Sequence, residues 1–127
     1  MSLHEQPVLF SADFAGCAAL DQCDPGEIAE IFACALRGAG ATIVGEAAHA
    51  FPGAGLTCVL ILRESHAVLH TWPESGTVNI DIFSCSTRLK SLAAIQDLGR
   101  ALGAEHISVQ EIPRADGHRR IPAAARA

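Results

Sequence analysis

The chain has 127 residues, 50% of them apolar, and a formal net charge of −5, so it suits one core and is short for two domains. The acidic balance excludes a nucleic-acid surface, which needs a clustered basic face, because the nearest candidate, Arg114 to Arg120, is broken by Asp116. With no signal-peptide pattern, no apolar run of the roughly eighteen residues a membrane helix needs, and five cysteines (Cys17, Cys23, Cys34, Cys58, Cys85) that lack a C-x-x-C pair, a cytoplasmic protein is expected, without a membrane span, disulfide framework or zinc knuckle.

Residues 8–14 are a short apolar run with Ser11 and Asp13 interleaved, ended by Gly16, which suits a first strand. Asp24-Pro25-Gly26-Glu27 announces a helix: Asp24 caps, Pro25 fits the first helical position, and Glu27 stands where a capping box needs its acid. Ile28, Ile31, Phe32, Ala35 and Leu36 then share one face, and Gly38 and Gly40 close the helix. A second strand begins at 41–44. After the Pro52-Gly53-Ala54-Gly55 turn, 56–62 reads as a third strand, apolar enough to be central. A fourth spans about 66–72. In 78–85, Val78, Ile80 and Ile82 alternate with Asn79, Asp81 and Phe83, which predicts a fifth strand with one wet face. Leu89, Leu92, Ala93 and Gln96 begin a second helix that ends near Leu102 at Gly103, and 107–112 makes the last strand. The order βαββ-ββαβ with short turns favours an α+β two-layer sandwich, an antiparallel sheet with both helices on one face. Its open face is expected to serve as a subunit interface. The tail 114–127 reads as flexible.

The richest stretch is Arg63-Glu64-Ser65-His66-Ala67-Val68-Leu69-His70-Thr71-Trp72-Pro73-Glu74, which puts a serine behind a glutamate at the joint of two apolar strands with a histidine downstream. It resembles the E-S-H-x-x-x-H-T-W-P-E signature of bacterial S-adenosylmethionine decarboxylase proenzymes. Three further segments resemble that family: Asp13-Phe14-Ala15-Gly16-Cys17 its acidic-x-x-G-C motif, Gly40-Ala41-Thr42-Ile43-Val44 its G-A-T-I-V strand, and Asp81-Ile82-Phe83-Ser84-Cys85 its D-[VIL]-F-[TS]-C.

The chemistry follows from the residue types. The Ser65 hydroxyl can attack the Glu64 carbonyl and turn the amide into an ester, given a strained turn and a stabilised oxyanion, for which Thr57 is a candidate donor. A base then removes the α-proton of residue 65 and expels the Glu64 carboxylate. His70 is the candidate, since an imidazole titrates near neutral pH. The dehydroalanine left behind hydrolyses to a pyruvoyl group on the fragment 65–127 (the α chain), separated from 1–64 (the β chain). A pyruvoyl ketone condenses with a substrate amine as a Schiff base and accepts electrons as carbon dioxide leaves. Cys85 is the candidate acid that reprotonates the substrate carbon.

The resemblance implies the same roles for Ser65, Thr57, His70 and Cys85, and adds two substrate positions. Phe51 matches the aromatic that stacks on adenine across a dimer interface, and Glu74 the acid that holds the ribose. It implies a homodimeric lyase of polyamine biosynthesis. Departures are Thr57 for the usual serine, Pro52-Gly53-Ala54 for a bulkier stretch, Leu9 for a common histidine and Ser86 for a common glycine. They keep three readings open: an S-adenosylmethionine decarboxylase, a relative acting on arginine or ornithine, and a non-catalytic binding or regulatory paralogue that stays whole. Zinc held by His49, His66, His70 and Cys85 is a weaker alternative, as the spacing fits no usual ligand motif, and no metal is expected.

Overall fold

The structure is a computed structural model that describes residues 6–85, 89–114 and 121–124. Six strands, β1 (Val8–Ala15), β2 (Ile43–Ala50), β3 (Leu56–Leu62), β4 (Ser65–Trp72), β5 (Thr77–Ser84) and β6 (His106–Pro113), form one sheet in the order β2-β3-β4-β5-β1-β6. Every pairing is antiparallel. Two helices, α1 (Pro25–Gly38) and α2 (Ser91–Ala101), cover one face, so the α+β sandwich and its βαββ-ββαβ order are as the sequence predicts. Ser86 and most of the 114–127 tail lie outside the described residues.

Local chemistry accounts for α1. Asp24 Oδ1 accepts from the Glu27 amide at 2.8 Å, and Glu27 Oε1 accepts from the Asp24 amide at 3.0 Å, which completes the capping box. Ile28, Phe32 and Leu36 are buried against the sheet, with Ile31 and Ala35 at the edge of the core. Alternation does the same for the strands: Leu56, Cys58, Leu60 and Leu62 of β3 and Val78, Ile80 and Ile82 of β5 point into the core.

Three sequence expectations change. β3 is interior but second from the edge, and its apolar run does not mean two covered faces, because Ile61 on the outer side is 52% exposed. α2 is rotated relative to the expected stripe: Ala94, Ile95 and Leu98 are buried while Leu92 is 46% exposed. Gly99 lies on the buried side, where it packs closely against the Ile107 side chain of β6. A short 3-10 turn at Ala18–Asp21 precedes α1 and carried no periodic signal. Cys17 and Cys58 are buried, whereas Cys34 is exposed on α1; all five cysteines are free thiols.

Candidate active site

The Glu64–Ser65 joint is a two-residue hairpin turn. Leu62 of β3 pairs with Ser65 of β4, so only Arg63 and Glu64 make the connection. Both are tied to the strand entry of β2: the Arg63 amide donates to the Thr42 carbonyl at 2.9 Å, and the Thr42 amide donates to Glu64 Oε1 at 3.0 Å. Glu64 is 9% exposed, an acid buried by a tight turn and satisfied by one backbone donor. Immediately after it, Ser65 takes φ 155°, a conformation that suits glycine and strains a residue with a Cβ.

Three polar groups gather at that joint. Ser65 Oγ lies 3.3 Å from His66 Nδ1, and the Cys85 thiol donates to the Glu64 carbonyl at 3.9 Å. Register explains the second contact: Ser65 pairs with Ser84, which places Cys85 just past the end of β5 beside the turn. The His66 ring also leans on Phe83, with centroids 5.5 Å apart.

His70 and Thr57 are not at this joint within one protomer. They face each other across β3 and β4, with Thr57 Oγ1 2.9 Å from His70 Nδ1. Five positions along β4 separate His70 from Ser65, about 16 Å at roughly 3.3 Å per residue. Instead, they belong to a row that crosses the whole sheet on its uncovered face. His49, Thr57, His70, Asn79, Asp13 and Ser108 are successive register partners from β2 to β6. The next row of partners away from this one holds Val59, Val68, Asp81 and Ser11, with the Ser11 hydroxyl donating to Asp81 at 2.7 Å. The row beyond it is mainly apolar and includes Ile61, His66, Phe83 and Leu9.

A cavity of about 450 Å³ opens at one end of the polar row. It is lined by Thr57 and His70, by Phe51 and the glycine turn of the β2–β3 hairpin, and by Trp72 and Glu74. The turn holds its shape through the Phe51 amide, which donates to the Gly55 carbonyl at 2.7 Å, and through Gly53 and Ala54 at φ 92° and 72°. Phe51 stays 48% exposed, and its ring meets that of His49 edge-on at 4.5 Å. Thus Phe51, Glu74, Thr57 and His70 share one cavity, and Ser65, Glu64 and Cys85 share one turn. Sequence reasoning gave His66 a part only in the weaker zinc alternative, and gave Trp72 and Asn79 none. The even positions 66, 70 and 72 of β4 share a face, which was readable from strand alternation.

Away from these groups, burial pushes the Cys17 thiol up, and burial with Glu46 nearby pushes Cys58 up to about 11. Among the described residues no group of three or more His, Cys, Asp and Glu side chains is placed to hold a metal ion, and no helix is long and apolar enough to cross a membrane.

Residues 9–115 match the family described as S-adenosylmethionine decarboxylase. An S-adenosylmethionine decarboxylase proenzyme of Clostridium tetani is 34% identical over 103 residues, covering 81% of this chain and 82% of the relative. One from Pseudomonas paraeruginosa is 36% identical over 87 residues, 68% of this chain; the matched region spans about half of that relative, 54%. The crystal structure of the adenosylmethionine decarboxylase from Aquifex aeolicus superposes with a TM-score of 0.78 at 27% identity, over 94% of this chain and 98% of that one.

Proposed function

The chain belongs to the S-adenosylmethionine decarboxylase family, and from that premise we propose that it is a proenzyme that cuts itself between Glu64 and Ser65 and then decarboxylates S-adenosylmethionine. The observation that carries this reading is the strained Ser65, at φ 155°, next to a Glu64 carbonyl that already accepts from the Cys85 thiol. Attack of Oγ on that carbonyl forms the ester and frees the amide nitrogen, and relief of the φ strain contributes to the driving force. Removal of the Cα proton of residue 65 then breaks the Cβ–O bond, and the Glu64 carboxylate leaves. Water replaces the resulting enamine nitrogen, which departs as ammonia. The products are 1–64 and 65–127.

The base for this elimination comes from a second copy of the chain. Proton transfer needs about 3 Å between heavy atoms, and a His70 about 16 Å along the same strand is out of reach. In the proposed dimer two open sheet faces pack about a two-fold axis with the Thr57–His70 pair of one copy over the Ser65–Cys85 turn of the other, twice per dimer. The mixed polar and apolar rows of that face suit such a contact.

The turn fits a pyruvoyl group, because it offers a serine as precursor, a strained backbone and a thiol beside the bond that opens. Once present at residue 65, that group supplies an electron-accepting ketone for an amine substrate. Beside it, Cys85 returns a proton to the substrate carbon, while from the second copy, whose cavity holds His70, Phe51 presents a ring to the adenine and the Glu74 carboxylate accepts from the ribose hydroxyls. Polyamine biosynthesis is the setting that uses such a product. Intact-mass measurement of the purified protein, followed by carbon dioxide release from S-adenosylmethionine, arginine and ornithine in parallel, tests the reading. A chain that stays whole refutes the self-cleavage, and turnover of an amino acid with none of the nucleoside refutes the substrate.

A further inference from the structure

Behind one wall of the cavity, three side chains from three strands form a directed chain of hydrogen bonds. The Trp72 indole N–H donates to Asn79 Oδ1 at 2.6 Å, and Asn79 Nδ2 donates to Asp13 Oδ1 at 2.7 Å. The direction is forced by chemistry. An indole nitrogen can only donate and a carboxylate can only accept, so an amide between them has a single orientation. The far end is charge-assisted, which strengthens it relative to a neutral pair. Asp13 stands directly opposite Asn79 in register, so this anchor costs little additional side-chain ordering.

Trp72 needs such an anchor. It is the last residue of β4, precedes Pro73 and is 47% exposed, so packing alone does not fix its ring. Yet the indole lines the cavity together with Phe51. We infer that Asn79, held by Asp13, is a positioning residue that locks the Trp72 indole and so sets the width of the cavity and how tightly it grips a planar ligand. The inference rests on the preceding reading only for the identity of the ligand, the nucleoside of S-adenosylmethionine. Asn79 and Asp13 do not touch the reacting atoms, so the effect belongs to binding and not to the chemical step.

Trp72 is the only tryptophan in the chain, so its fluorescence reports this wall directly. In Asn79→Ala, the anisotropy decay of the indole gains a fast component and acrylamide quenching increases. KM for S-adenosylmethionine rises about two- to tenfold, the range that loss of one hydrogen bond allows, while kcat changes by less than about twofold. Asp13→Ala leaves Asn79 in place but unanchored and moves both readings the same way by less. Joining Asn79→Asp to Asp13→Asn rebuilds the chain of bonds, because the carboxylate now at position 79 accepts from both the indole and the amide now at position 13, and it restores rigidity and KM. An indole equally rigid in wild type and Asn79→Ala overturns the clamp whatever the substrate. A loosened indole with unchanged KM, or a paired variant as loose as the single one, overturns it as well. Wild-type protein that processes itself but turns over none of the nucleoside refutes the substrate reading instead, and the fluorescence still judges the clamp.

Discussion

Complementation between two inactive variants decides whether self-cleavage runs within a chain or between chains. Ser65→Ala removes the nucleophile and His70→Ala removes the base, so neither variant alone yields fragments while wild type is complete. In a dimer of one of each, the His70→Ala chain still offers Ser65 and the Ser65→Ala partner still offers His70. One of the two composite sites is therefore whole. If the two chains assort at random, about half of the dimers are mixed and about half of the His70→Ala chains are cut, while the Ser65→Ala chains stay intact. The basis is the separation of about 16 Å between Ser65 and His70 along one strand, which a hydrogen-bonded β4 cannot shorten. Coexpression with tags of different mass and measurement of intact masses reads the outcome by chain. Background cleavage is not a complication, since loss of a proton-transfer group slows its step by about 10²- to 10⁴-fold. A mixture in which neither chain is cut, under conditions where wild type is fully cut, refutes the composite site.

Cys85→Ala keeps Ser65 and the distant His70, so it is expected to yield both fragments but to lose about 10²- to 10⁴-fold in carbon dioxide release; full activity would remove Cys85 as proton donor. Phe51→Ala should weaken S-adenosylmethionine binding about ten- to a hundredfold, the span of base stacking on an aromatic, as read by calorimetry on processed protein. Unchanged affinity places the adenine elsewhere. Stability should also fall at alkaline pH: the Cys58 thiol sits at about 11, above its ordinary 9.0, through burial first and Glu46 second. Its contribution is complete below about pH 9, is lost as the pH rises through about 11, and is worth at most about 2–3 kcal/mol. Denaturant melts across that range should show a shallower decline in Cys58→Ala than in wild type, and equal slopes would contradict the assignment.

Where local chemistry decides structure, the sequence was sufficient. Asp24-Pro25-Gly26-Glu27 contains its own cap, and the alternation of Val78, Ile80 and Ile82 contains its own face. α2 was misphased because Leu92 is apolar yet 46% exposed, while the small Gly99 packs closely on Ile107 of another element. For the site, the sequence reading took His70 and Thr57 to act at the Ser65 joint, although strand rise already sets His70 about 16 Å along β4 from it. The contact of Asp13 with Asn79 was not legible, because it depends on β1 lying next to β5, and no spacing within either strand encodes that. Trp72 was visible as a motif residue, but its place in the cavity lining depends on the hairpin turn at Gly53 and Gly55 contributing to the same cavity.

Strand order also bears on why a cut at residue 64 need not undo the fold. The fragment 1–64 carries β1, α1, β2 and β3, and 65–127 carries β4, β5, α2 and β6. β1 lies between β5 and β6, and β3 pairs with β4 along its full length, so the first fragment is threaded into the second at two separate seams. The helices add a third, because Phe32 and Leu36 of α1 and Ile95 and Leu98 of α2 share one core. Breaking the Glu64–Ser65 bond removes a two-residue turn and no interstrand ladder. What the proposed cut would release is the strain at Ser65, next to a turn held to Thr42 by the Arg63 amide and the Glu64 carboxylate. In the proposed cleavage the fold therefore presents a strained Ser65 beforehand and would keep the new terminus beside Cys85 afterwards, two requirements met by one hairpin.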